Sequence, residues 1–179
     1  MSLISQLLAP ENIVLDLDAS SKKRVFERAG LLFENNQGIA SSAVFDSLFA
    51  REKLGSTGLG RGIAIPHGRI KDLQQASGAF FRLATPVPFD SPDGEPVSLL
   101  FVLLVPEQAT EQHLQILSEL AERFSEPTCR DALRAADSAD AVLRIFAEAA
   151  TVGVEQLALL AVESISGVHG GFRTILRWS

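Results

Sequence analysis

The chain has 179 residues, 46% hydrophobic and 21% charged, with a formal net charge of −6. That length and balance describe one folded domain with a sizeable core, and the acidic charge argues against a nucleic-acid footprint, which needs a strongly basic surface. A single cysteine, Cys129, excludes an intrachain disulfide and a cysteine-based zinc site. The longest apolar run, Leu99–Val105, is far short of the roughly 18–20 residues of a membrane span. The opening MSLISQLLAPEN lacks the basic region of a secretory signal, so the expected compartment is a reducing cytoplasm, with no direct membrane insertion.

Glu11–Leu17 reads as a strand rich in Ile, Val and Leu. Asp18, Ser20 and Ser21 offer N-caps for a helix with Val25, Phe26, Ala29, Leu32 and Phe33 on one stripe, ended by Gly38. Ser41 or Ser42 caps a second helix, with Val44, Phe45, Leu48 and Phe49, running to Arg51. A glycine cluster, Gly55–Gly62, precedes an extended Ile63–Ile65, stopped by Pro66. Ser77–Leu83 is a further strand. Thr85–Val97 is a proline-rich loop whose Pro92-Asp93-Gly94 suits a type I turn. Val97–Val105 is apolar throughout, as a strand covered on both faces must be. Thr110 caps a helix with Leu114, Leu117, Leu120, Ala121 and Phe124 on one face, and short helices follow at Asp131–Ala135 and Ser138–Ala149. The expected fold is α/β, a single central mixed β-sheet with helices on both faces. Residues 1–149 form the expected domain. Residues 150–179 are a tail with four charges and no assigned role.

Chemistry concentrates in Arg51–Lys71, where five cations accompany one carboxylate, Glu52, around the glycine cluster and His67. Basic side chains and exposed amides suit a phosphate, although a glycine-rich turn with solvated charges has the same composition. Gly55–Gly62 lacks the Lys and Ser/Thr of a P-loop and precedes a strand pattern. Nor does it carry G-x-G-x-x-G, so nucleotide binding is disfavoured. His67, between Pro66 and Gly68, sits at a strand end with little steric cover; its ordinary pKa of about 6.5 leaves a neutral nucleophile abundant at neutral pH. A plain surface histidine is the competing reading. His113 falls in the first turn of the helix after Thr110, where a neutral imidazole is favoured and can donate to a phosphoryl oxygen, or simply face solvent. His169 lies in the tail without a role. Three scattered histidines make a poor metal site, so no metal is expected, and no Gly-x-Ser-x-Gly elbow is present.

Arg51-Glu52-Lys53-Leu54-Gly55-Ser56-Thr57-Gly58, followed by Gly60-Arg61-Gly62-Ile63-Ala64-Ile65-Pro66-His67-Gly68, resembles the phosphohistidine signature of the mannitol/fructose-class enzyme IIA domains of the bacterial phosphotransferase system. Val87-Pro88-Phe89-Asp90, Asp93-Gly94 and Glu111-Gln112-His113-Leu114 extend the resemblance, which spans about Leu3–Ala149. It implies a mannitol-type enzyme IIA fold and a phosphoryl group accepted on His67 from an HPr-type phosphocarrier. It further implies that Arg51 and His113 assist, that Ser56, Thr57 and Gly58 line the phosphate site, and that no cofactor is needed. The stretch Val87–Gln112 is most similar to the nitrogen-regulatory branch, whose output goes to regulatory target proteins. The alternative is a sugar-specific component that passes phosphate to an enzyme IIB. Docking of the carrier implies an open site ringed by apolar residues, Phe89 among them.

Overall fold

The computed structural model describes residues 3–108 and 111–147. Its elements are α1 (Leu3–Leu7), β1 (Leu8–Leu17), α2 (Lys22–Gln37), α3 (Ser41–Lys53), β2 (Gly58–Gly60), β3 (Ile63–Ala64), β4 (His67–Ile70), β5 (Ser77–Val87), β6 (Val97–Pro106), α4 (Glu111–Ser125) and α5 (Pro127–Ala135). A last helix, α6, is described over residues 139–147. The six strands form one mixed sheet in the order β1-β5-β6-β3-β2, with β4 also pairing β6. This is the expected architecture.

The sheet is buried on both faces, as the unbroken apolar run of β6 requires. Leu100, Val102 and Leu104 join the core made with Val25, Phe26, Ala29 and Phe33 of α2 and Val44 and Leu48 of α3. Leu99, Phe101, Leu103 and Val105 join a second core with Ile4, Ile116, Leu120, Phe124, Leu133 and Phe146. Strict alternation along one strand thus feeds two separate helical layers.

Strands β3 and β4 are two pieces of one path beside β6. The pairs Ile63–Leu99, Ala64–Leu100, His67–Leu103 and Gly68–Leu104 keep a single parallel register across the interruption at Ile65-Pro66. Pro66 has no N–H for the ladder, yet its carbonyl still accepts from Leu103 N at 2.9 Å.

Several expectations are corrected. The first strand begins at Leu8, after a short helix the sequence reading did not expect. As expected, a serine caps α2, the Ser21 hydroxyl accepting from Arg24 N, and Gly38 closes the helix at φ 68°. The α3 cap is Ala40, with no side-chain bond; the Ser41 N–H instead donates to Glu34 Oε2 at 2.6 Å. Strand β5 runs on to Val87, and Pro86 is tolerated because the pairing with β6 is irregular between Arg82 and Val87. Helix α5 starts at Pro127, a residue suited to a first helical turn. On α4 the buried stripe is Ile116, Leu120, Arg123 and Phe124, while Leu114 and Ala121 are exposed. Thr110 and the tail lie outside the described residues.

Candidate functional site

Helix α3 carries Arg51 in its last turn, where a cation suits the helix dipole. Two close approaches aim it. Gly68 of β4 lies directly against Ser47, one helical turn before Arg51, and Ser47 Oγ donates to Arg69 O at 2.8 Å. At the helix end the Arg51 guanidinium donates through Nη1 to Gly55 O at 2.8 Å and through Nε to His67 Nε2 at 3.2 Å.

These contacts fix the state of His67. A guanidinium only donates, so Nε2 must be an unprotonated acceptor. The other nitrogen, Nδ1, lies 2.9 Å from the carbonyl of Ile65 and must carry the proton. That carbonyl is available because Thr57, which faces Ile65 just past the Gly58–Ala64 pair and accepts its N–H, gives its own N–H to Glu52. Burial holds the His67 pKa below its ordinary 6.5, and nearby Arg51 adds to this; the Ile65 hydrogen bond and Glu52 oppose it. The half-buried ring is neutral at pH 7, with its lone pair on Nε2.

His113, third residue of α4, meets His67 edge to face with ring centroids 5.3 Å apart. Its pKa is also lowered, first by burial and then by His67, Arg69 and Arg51. Its Nδ1 is buried with no hydrogen-bond partner. Arg69 shares the outward side of β4 with His67 and donates to Glu107 O at 3.3 Å. Arg51, His67 and His113 therefore converge, although 16 residues separate the first two.

Ser56, Thr57 and Gly58 are employed differently from the expectation. The Thr57 hydroxyl donates to Glu52 Oε2 at 2.6 Å and its N–H to Glu52 Oε1 at 3.1 Å. Ser56 Oγ donates to Phe89 O and accepts from Gly58 N at 3.0 Å. The amides of Leu54 and Gly55 close a turn on Arg51 and Glu52. The loop spends these donors on its own shape. Phe89 is 1% exposed, a core residue and not a docking one. The exposed apolar side chains beside the site are Leu54, 84% exposed just after α3, and Leu114, 64% exposed next to His113.

Two residues escaped the sequence reading. Glu52, buried, forms an ion pair with Lys22 at 2.9 Å, and Lys22 also lies over the Phe89 ring at 4.5 Å and donates to Phe89 O at 3.2 Å. A sequence signal existed. Lys22 occupies the first turn of α2, where the helix dipole disfavours a cation, so a partner carboxylate was to be sought. Among the described residues no group of three or more His, Cys, Asp or Glu stands together as a metal site, and no helix is long and apolar enough to cross a membrane.

Residues 6–149 match the family described as "Phosphoenolpyruvate-dependent sugar phosphotransferase system, EIIA 2". A nitrogen regulatory protein of Pseudomonas aeruginosa is 44% identical over 146 residues, covering 81% of this chain and 95% of its own length. The crystal structure of nitrogen regulatory protein IIA-Ntr from Neisseria meningitidis aligns with a TM-score of 0.77 at 55% identity, covering 81% of this chain and 99% of that one. The IIA mannitol structure from Escherichia coli aligns at 0.66 with 25% identity, covering 77% and 97%.

Proposed function

The chain belongs to the phosphoenolpyruvate-dependent sugar phosphotransferase system EIIA 2 family, and we propose that it carries a phosphoryl group on Nε2 of His67, received from an HPr-type phosphocarrier, and serves as a cytoplasmic regulator. The observation that carries this reading is the pair of contacts on one ring: Ile65 O holds the Nδ1 proton while Nε2 keeps its lone pair.

The step needs no proton shuttle. The Nε2 lone pair forms a bond to phosphorus as the bond from phosphorus to the carrier breaks and the carrier keeps that electron pair. The proton stays on Nδ1, hydrogen-bonded to Ile65 O. Charge then lies on three equatorial oxygens of a loose transition state. Arg51 Nε–H loses its acceptor as phosphorus takes the lone pair, and it turns to a phosphoryl oxygen while Gly55 O still anchors the guanidinium. With Nδ1 buried and unpartnered, His113 presents Nε2–H to a second oxygen. Fixed donors of this kind lower the barrier without reorganising. Leu54 and Leu114 supply an apolar rim for the carrier.

The regulatory role is supported by 55% identity to IIA-Ntr against 25% to IIA mannitol. Incubation with phosphoenolpyruvate, enzyme I and the carrier is expected to leave an acid-labile, base-stable phosphate on the protein. A His67→Ala protein labelled to the same level would overturn the assignment. Efficient onward transfer to an enzyme IIB and its sugar would replace the regulatory role with the transport one.

A further inference from the structure

Glu52 is a buried carboxylate that makes no hydrogen bond to His67, yet it accepts three hydrogen bonds from the chain around the site. Its two oxygens receive the Lys22 ammonium at 2.9 Å, the Thr57 N–H at 3.1 Å and the Thr57 hydroxyl at 2.6 Å. Thr57 is thereby fixed through backbone and side chain together. The Thr57 carbonyl accepts from Ile65 N at 3.1 Å, and the Ile65 carbonyl accepts from His67 Nδ1 at 2.9 Å. Lys22 is itself held by Phe89 O, which also receives the Ser56 hydroxyl. The chain of contacts therefore runs Lys22, Glu52, Thr57, Ile65, His67, with each partner buried or half-buried.

We propose that Glu52 is a positioning residue for phosphoryl transfer: braced by Lys22, it sets the loop that places the Ile65 carbonyl and so keeps the proton of His67 on Nδ1 and the lone pair on Nε2. A purely structural ion pair explains less. Desolvating a carboxylate and an ammonium offsets much of their attraction, so such a pair is weak evidence of a stability role. Lys22 also sits against the dipole of α2, a local conflict of the kind found where function sets the residue. The same Glu52 neighbours Arg51 in sequence, and the turn that closes on the Glu52 carbonyl through Gly55 N presents Gly55 O to the Arg51 guanidinium. The Ile65 carbonyl thus depends on the Glu52 carboxylate, and the Arg51 anchor depends on the main chain of the same residue.

The rate measurement rests on the phosphoryl-transfer reading, and the tautomer measurement does not. Heteronuclear NMR of the imidazole nitrogens in the full chain reports which one carries the proton. Wild type is expected to show a single Nδ1–H form for His67. Glu52→Ala is expected to give a mixed tautomer population and a transfer rate lower by about 10²-fold, the cost of an ångström-scale misplacement, with the KM for the carrier unchanged. Thr57→Val is expected to move both readouts the same way, and Thr57→Ser to restore them. A folded Glu52→Ala protein that keeps the single Nδ1–H form overturns the proposal, and if that variant does not fold, an unchanged tautomer in folded Thr57→Val does so. Should the tautomer shift as expected while no form of the protein takes up phosphate, the phosphoryl reading fails and the positioning stands.

Discussion

Gly68→Ala tests whether the packing of α3 on β4 sets the reach of Arg51. A Cβ at Gly68 meets the Ser47 hydroxyl, and it lies 3.0 Å from both the Ser47 carbonyl carbon and its Cβ. The hydroxyl can rotate away, but the backbone carbon cannot. Carbon atoms pack at about 3.5–4.0 Å, so α3 must lift by about 0.5–1 Å. The helix is rigid over the single turn from Ser47 to Arg51, and the lift travels to the guanidinium. The Arg51 Nε to His67 Nε2 contact, 3.2 Å in the native protein, then passes out of hydrogen-bond range. Overpacking of this kind costs about 1–3 kcal/mol of stability, and the misplaced donor about 10²-fold in rate. Urea unfolding and the initial rate of phosphate uptake measure the two separately. A Gly68→Ala protein that unfolds at the native midpoint and is labelled at the native rate refutes the reasoning.

Other outcomes follow from the same geometry. Both His67 and His113 are held below the ordinary 6.5 by burial. The unfolded chain therefore binds these protons first as pH falls, so their neutral forms support the fold fully above 6.5 and that support is lost with acidification below it. Denaturant midpoints between about pH 7.5 and pH 5 should fall more steeply for the native protein than for a His67→Ala/His113→Ala protein, and equal slopes would contradict the burial argument. His113→Ala is expected to keep the fold and slow transfer by about 10²–10³-fold as a fixed donor is lost; an unaltered rate removes it from the mechanism. Arg51→Lys should also be costly, because a point charge cannot donate to Gly55 O and a phosphoryl oxygen in one plane, and native uptake kinetics in that variant would argue otherwise. Burial pushes the Cys129 thiol up to about 11, so a thiol reagent at neutral pH should modify it only after unfolding; rapid reaction in the folded protein would contradict its placement.

The layers were legible because hydrophobic spacing reports burial. The continuous run of β6 announced a strand covered on both sides, and the stripe of α2 named its own core face. Two short strands were not legible. Gly58–Gly60 has almost no side chain to show a period, and His67–Ile70 begins just past a proline, whereas Ile63–Ala64 fell within the extended Ile63–Ile65 that was expected. The α4 stripe was misjudged because Leu114 and Leu117 together suggest an apolar face that passes through His113. The helix is instead rotated so that Ile116, Leu120 and Phe124 enter the core, Leu114 is left in solvent, and His113 lies at the rim of the site.

For the site, residue types were readable and their partners were not. The resemblance and the local charge both pointed to His67, Arg51 and His113, and glycine and hydroxyl groups nearby looked like phosphate ligands. Composition gives no account of which donors a loop consumes in holding itself. Thr57, Ser56 and Gly58 are satisfied by Glu52, Phe89 O and Ser56 respectively, partners up to 33 positions away in the chain. The decisive acceptor, Ile65 O, is a backbone atom that no sequence motif displays. Along a strand, the N–H and C=O of one residue point to the same side. Pro66 O pairs toward β6, so Ile65 points the other way, toward Thr57, which accepts the Ile65 N–H but gives its own N–H to Glu52. A buried carbonyl without a strand partner must find another donor, and the ring two residues on is within reach. The protonation pattern that makes Nε2 a nucleophile therefore follows from which acceptor takes the Thr57 N–H.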